Sequence, residues 1–148
     1  MYSFLIIAAV VGLDQLLKYQ VIDKVMLKTN IEVIKNFFYI TYVENHGIAF
    51  GLFKNKNSFF VITTTIIILA LLYTIYRFYS KKILFTVCLA LIVGGAIGNL
   101  IDRLRHGYVI DYLHFTIFPP VFNLADAAIV CGAVLLSLIL FFDKSISI

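Results

Sequence analysis

NSFFVITTTIIILALLYTIY, Asn57–Tyr76, runs for 20 residues without a formal charge. At 1.5 Å rise per residue, a helix of that length spans about 30 Å, the thickness of a bilayer's hydrocarbon core. Ile83–Ile101 repeats the pattern over 19 residues. Residues 121–142 form a third apolar block, interrupted near its start by Asn123 and Asp126, and Tyr2–Ile22 a fourth, interrupted by Asp14 and Lys18. The first block does not read as a cleaved leader. It has no basic n-region, and charges rather than a small-residue cleavage site follow its apolar core. The sequence therefore predicts an all-α membrane protein: a single integral domain over residues 1–148, with transmembrane helices at about 2–22, 57–76, 83–101 and 121–142.

Composition agrees. Hydrophobic residues make up 62% of the 148, charged residues 14%, and mean hydropathy is +1.01. A soluble domain carries about 45–50% apolar and about 25% charged residues. Two cysteines, Cys88 and Cys131, exclude a disulfide-built scaffold. The net charge of +4 sits mostly in loops beside apolar blocks, where anionic lipid headgroups account for it. Membrane lipid is thus an expected partner and nucleic acid is not.

The connections differ in kind. Arg77–Lys82 is tight and holds three basic residues in six. Residues 23–56 form a long loop containing IEVIKNFFYITYVE (Ile31–Glu44), whose β-branched and aromatic residues predict strands at the membrane surface. The aromatic run Phe37, Phe38, Tyr39 and Tyr42 suits an interfacial anchor. Charge density in the tight loop argues that it is cytoplasmic, with both termini on the same side. A raw count that includes Lys24, Lys28, Lys35, Lys54, Lys56, Arg103 and Arg105 argues the reverse.

Intramembrane polar residues are costly, so each is a candidate for function. In a four-helix alternating arrangement, the second halves of helices 1 and 3 lie at the same face as the starts of helices 2 and 4. Asp14, Lys18, Asn99, Asp102, Arg103, Asn123 and Asp126 all gather there. Asp14 and Lys18 are i,i+4 and can neutralise each other. Ala90, Gly94 and Gly98 form a small-residue ridge that would admit another helix closely. Asp102 reads as a rim charge. No HExxH, GxSxG or CxxC occurs, and His46, His106 and His114 lack metal-ligand spacing, so neither metal nor cofactor is expected.

Carboxylates remain. Asp111, read as lying in the loop after helix 3, and Asp126, just inside helix 4, would share a proton if brought together, as in aspartic-protease chemistry. From the residues alone three other readings stay open. Asp126 could simply meet a helix dipole, Asp14 could serve a proton-coupled transporter, and the protein could be a scaffold.

Five ordered motifs resolve the choice by resemblance: DQLLK (Asp14–Lys18), NHGIAF (Asn45–Phe50), GGAIGNLIDR (Gly94–Arg103), GYVIDY (Gly107–Tyr112) and FNLAD (Phe122–Asp126). Together they resemble the bacterial lipoprotein signal peptidases, the signal peptidase II family. The resemblance implies an aspartic endopeptidase of the bacterial cytoplasmic membrane, a chemistry that needs no metal or cofactor; a monomer is expected. Its substrate is a diacylglyceryl-modified prolipoprotein, cut just before the lipidated cysteine. It implies Asp111 and Asp126 as the catalytic pair, with Asp14, Lys18, Asn45, Gly47, Asn99, Arg103 and Asn123 in support. It also implies a small extracytoplasmic β-cradle between helices 1 and 2, cytoplasmic termini, and an active site near the outer face. On this reading Arg103 braces the segment bearing Asp111, and Asn123 orients Asp126. Asn45 either satisfies a sharp turn at Gly47 or holds the scissile peptide. The Asp14–Lys18 pair is either structural or a substrate contact. Two departures from the family pattern stand out: Ile48 at a position often small, and a short connection, HFTIFPPVFNLA, between the two aspartates.

Overall fold

The computed structural model describes residues 2–26, 30–47, 57–78 and 82–142. Ile48 and the remainder of the first loop up to residue 56 lie outside the described residues. Four helices carry the chain: α1 (Tyr2–Lys24), α2 (Asn57–Phe78), α3 (Ile83–Arg105) and α4 (Leu124–Phe142). Each is long and apolar enough to cross a membrane. Their outer faces leave Leu5, Ile62, Ile66, Leu69, Tyr73, Val134 and Phe141 exposed. An apolar surface that extensive requires lipid rather than water around it. The chain is a multi-pass membrane protein.

α3 is the central helix. Twelve of its 23 residues are buried, against two in α2 and two in α4. The reason is side-chain size. A Cβ on Gly94 would stand 2.8 Å from Val10 of α1, one on Gly98 2.5 Å from Asp14, and one on Gly95 would collide with the Ala125 carbonyl of α4. Glycines on two faces of α3 thus let α1 and α4 approach its backbone directly. Below this contact the core is Ile7, Ile68, Ile75, Phe85, Leu89, Ala90 and Val93.

α3 continues to Arg105, past the expected 101. Its end is closed by His106 and Gly107, whose N–H groups bond the Asp102 and Arg103 carbonyls, with Gly107 at φ +84°. α4 begins at Leu124 rather than 121, because Pro119 and Pro120, which cannot extend a helix, stand at a bend before it and Asn123 caps it.

The sheet lies at one end of the bundle. Strands β1 (Ile31–Ile34) and β2 (Phe38–Asn45) form an antiparallel hairpin, with a bulge-like register shift between Ile40 and Val43 where β2 meets the next strand. The sequence placed strands only in the first long connection. The structure adds β3 (Val109–Phe115) from the α3–α4 connection, so Asp111 stands on a strand and not in a loop. Long-range pairing, which periodicity cannot show, creates this strand. β3 pairs β2 with Val43 opposite Asp111 and Asn45 opposite Val109. Tyr112 packs with Val21 and Val25 and so seats the sheet on the end of α1.

Candidate active site

Asp111 and Asp126 are carried by different elements and meet through Asn123. The sequence FNLAD starts α4 with a reciprocal cap. Asn123 Oδ1 accepts the Asp126 N–H at 2.9 Å, and the Asp126 carboxylate accepts the Asn123 N–H at 3.3 Å. That geometry turns the Asn123 amide toward β3, where its Nδ2 donates to Asp111 Oδ1 at 2.7 Å. One residue therefore fixes both carboxylates. Asn99 of α3 completes the link by donating to Asp126 Oδ1 at 2.7 Å.

From the other side, Asn45 and Asp111 are diagonal neighbours on one sheet face, the spacing at which side chains of adjacent strands still touch. Asn45 Nδ2 donates to Asp111 Oδ2 at 2.8 Å, while its Oδ1 accepts the Gly47 N–H at 2.9 Å. Gly47 has φ +84°, and a Cβ there would lie 2.5 Å from the Phe60 ring. Only glycine fits this turn, and the turn holds Asn45.

Asp111 is 2% exposed. Burial pushes its carboxyl up to about 6; Asp126 adds to the rise, while the bonds from Asn45 and Asn123 and the charge of Lys18 oppose it.

Asp14 and Lys18 do not form an isolated pair. Lys18 Nζ lies 2.8 Å from Asp14 and 2.8 Å from Asp102, and donates to Asn99 Oδ1 at 3.1 Å. Asp102, read from sequence as a rim charge, is in fact buried. The error has a simple origin: α3 runs a full turn beyond its expected end, which carries Asp102 inward beneath β3. Each acid of this triad also grips the backbone of the residue preceding a candidate catalytic aspartate. Asp102 Oδ2 accepts the Ile110 N–H at 3.1 Å, and Asp14 Oδ1 accepts the Ala125 N–H at 3.0 Å. Gln15 bonds Asp102 Oδ1 at 2.9 Å.

Arg103 does not brace the Asp111 segment through hydrogen bonds among the described residues. Its guanidinium lies 5.3 Å from the centre of the Phe60 ring, and its carbonyl accepts from Asn57 of α2. The bracing role falls to its neighbour Asp102. Sequence reading also passed over Tyr112, whose hydroxyl accepts the Leu124 N–H at 3.2 Å, and Gln15. Gln15 stands inside the DQLLK motif and Tyr112 inside GYVIDY, so a signal existed for both; the bond from Leu124 to Tyr112 became visible only with β3. Among the described residues no cluster of His, Cys, Asp and Glu could hold a metal ion.

Four spanning helices with a carboxylate pair at one end of the bundle are the arrangement that a membrane peptidase of the aspartic class requires. The profile of the family described as signal peptidase (SPase) II matches residues 6–142. The lipoprotein signal peptidase of Caldanaerobacter subterraneus is 45% identical over 144 residues, covering 97% of this chain and 99% of that one. That of Moorella thermoacetica is 47% identical over 135 residues, covering 90% and 89%. A bacterial membrane enzyme solved by the in meso method superposes with a TM-score of 0.85 at 36% identity, covering 97% of this chain and 90% of that one. The chain belongs to the signal peptidase II family.

Proposed function

We propose that this protein is a lipoprotein signal peptidase in which Asp111 and Asp126 activate the water that cleaves diacylglyceryl-modified prolipoproteins just before the modified cysteine. The observation that carries the reading is the Asn123 bridge: its side-chain Nδ2 donates to Asp111 and its backbone N–H to Asp126, which ties both carboxylates to one residue. Asp111, raised to about 6 by burial, suits the carboxyl that holds the shared proton and hydrogen-bonds the scissile carbonyl oxygen. Asp126 takes a proton from water as the water attacks the carbonyl carbon. The tetrahedral species then collapses, the C–N bond breaks, and the leaving amine receives a proton from the pair. Asn45, Asn99 and Asn123 hold the carboxylates, Gly47 holds Asn45, and Asp14 and Lys18 hold the backbone of α4 and Asn99. Arg103 supports the site from the α2 side through Phe60. Asp14 is wholly buried among these partners, which suits a mount better than a transported proton's carrier.

A cleavage assay on a diacylglyceryl-modified prolipoprotein tests this. Asp111→Asn and Asp126→Asn should each lower turnover by about 10²–10⁴-fold or more while leaving the protein folded. A folded variant that retains wild-type turnover would remove that aspartate from the pair.

Sidedness follows from the same reading. The positive density of Arg77–Lys82 supports a cytoplasmic α2–α3 turn, cytoplasmic termini in the bacterial cytoplasmic membrane, and a site near the outer face. A reporter fused at the C-terminus should lie on the cytoplasmic side and one in the α1–α2 connection on the outer side, and the converse pattern would reverse the assignment.

A further inference from the structure

Among the described residues, the two candidate catalytic carboxylates receive side-chain hydrogen bonds from the amides of Asn45, Asn99 and Asn123. An amide has two ends and only the nitrogen end donates, so each must be held the right way round. For two of the three the backbone does this: Asn45 Oδ1 accepts the Gly47 N–H, and Asn123 Oδ1 accepts the Asp126 N–H. Asn99 differs. Its Nδ2 donates to Asp126 Oδ1 at 2.7 Å, and its Oδ1 accepts from Lys18 Nζ at 3.1 Å. Asn123 Nδ2 lies 3.2 Å from the same oxygen, but its two hydrogens are shared with Asp111 Oδ1 at 2.7 Å and the Ile110 carbonyl at 3.2 Å.

We propose that Lys18 is a positioning residue that sets the polarity of the Asn99 amide, so that Asp126 meets a donor there and never a carbonyl oxygen. The inference rests on the peptidase reading above and deepens it. An ammonium group has three N–H donors and no acceptor. Those of Lys18 are directed at Asp14, Asp102 and Asn99, at 2.8, 2.8 and 3.1 Å, in a site where the side chain is 2% exposed. The ammonium therefore accommodates only the oxygen end of Asn99, which leaves the nitrogen end for Asp126. Without it, a flip of the amide would set an oxygen against a carboxylate oxygen at 2.7 Å, where two acceptors repel. Asp14 from α1 and Asp102 from α3 hold Lys18 where it can act in this way. Arg103 of α3 and Tyr112 of β3 also lie within electrostatic reach of Asp126, and neither is altered in the variants below.

The test measures kcat, KM and the pH profile of cleavage, with the intact protein in lipid and a diacylglyceryl-modified prolipoprotein. The triad is neutralised by Asp14→Asn, Lys18→Met and Asp102→Asn together, which keeps acceptors for the Ala125 and Ile110 N–H groups. That variant should lose about 10–10²-fold in kcat, the worth of one donor to a charged group, with KM changed by less than about threefold. The ascending limb of kcat/KM, which belongs to the pair as a whole, should move to higher pH, because fewer donors face it. Asn99→Ala should do the same, and adding it to the neutralised triad should lower kcat by less than about twofold more. Losses that multiply would overturn the inference, showing that the triad acts through the backbone of β3 and α4 and not through Asn99. An unchanged pH profile would overturn it as well. Asn99→Asp decides the matter even if the neutralised triad folds poorly. It keeps an acceptor for Lys18 but turns an oxygen toward Asp126, so its kcat should fall below that of Asn99→Ala. Equal or faster turnover in Asn99→Asp would sink the inference. A wild type that cleaves nothing would overturn the peptidase reading itself, a result distinct from all of these.

Discussion

Asp111 couples the site to pH. Its carboxyl is raised above the ordinary 3.8 to about 6, chiefly by burial, so the folded protein holds a proton that the unfolded chain has already released. The sign follows: stability falls as pH rises from about 4 to about 6, then levels off. Thermal unfolding in detergent should show this loss, and Asp111→Asn should flatten it. The same group shapes activity. As proton holder in the pair, Asp111 should give kcat/KM a descending limb above pH 6. Asn45 bonds the charged form and so opposes the rise. Asn45→Ala should therefore move the limb to higher pH as well as lower turnover, and a limb that moves down would contradict the assignment. At this scale the sequence exposed both aspartates, because a motif names residue types. It misjudged Asp102, because burial depends on where a helix ends.

Among the elements, α3 sets the geometry by what its glycines omit. Gly95 meets the Ala125 carbonyl directly, one residue before Asp126. Gly95→Ala should push α4 off α3, costing about 1–3 kcal/mol through overpacking and lowering turnover with it. Gly12 on α1 is the control: a Cβ there meets nothing within 4 Å. Gly12→Ala should leave activity unchanged and stabilise by up to about 1 kcal/mol, the ordinary helix-propensity gain. Melting temperature and cleavage rate of the two variants distinguish a packing requirement from a general intolerance of change. The small-residue ridge was legible as spacing. That Gly95, off the ridge, makes the tightest contact with α4 was not, since spacing does not say which helix faces which.

Across the whole molecule, the buried triad Asp14–Lys18–Asp102 joins α1, α3, α4 and β3, and no single element contains it. Removing Lys18 leaves two carboxylates away from water without their counter-charge, which costs about 3–5 kcal/mol, whereas neutralising all three members together is far milder. Lys18→Met alone should therefore lower the unfolding temperature more than Asp14→Asn, Lys18→Met and Asp102→Asn combined. The asparagines keep acceptors for the Ala125 and Ile110 N–H groups. A triple variant less stable than the single one would show that the triad contributes net attraction and not only mutual compensation.

The sequence by itself determined the four spans, the gathering of polar residues at one end and, through ordered motifs, the family. These are properties of composition, length and local spacing, which a linear chain displays in full. The tertiary structure decided the third strand, the burial of Asp102, the displacement of Arg103 onto Phe60, and the bridge from Asn123 to both aspartates. Each depends on pairing or packing between segments distant in sequence. Asp111 illustrates the division. The motif names it, but only the pairing of β3 with β2 brings Asn45 to its carboxylate, and only the cap of α4 turns Asn123 toward it from the other side.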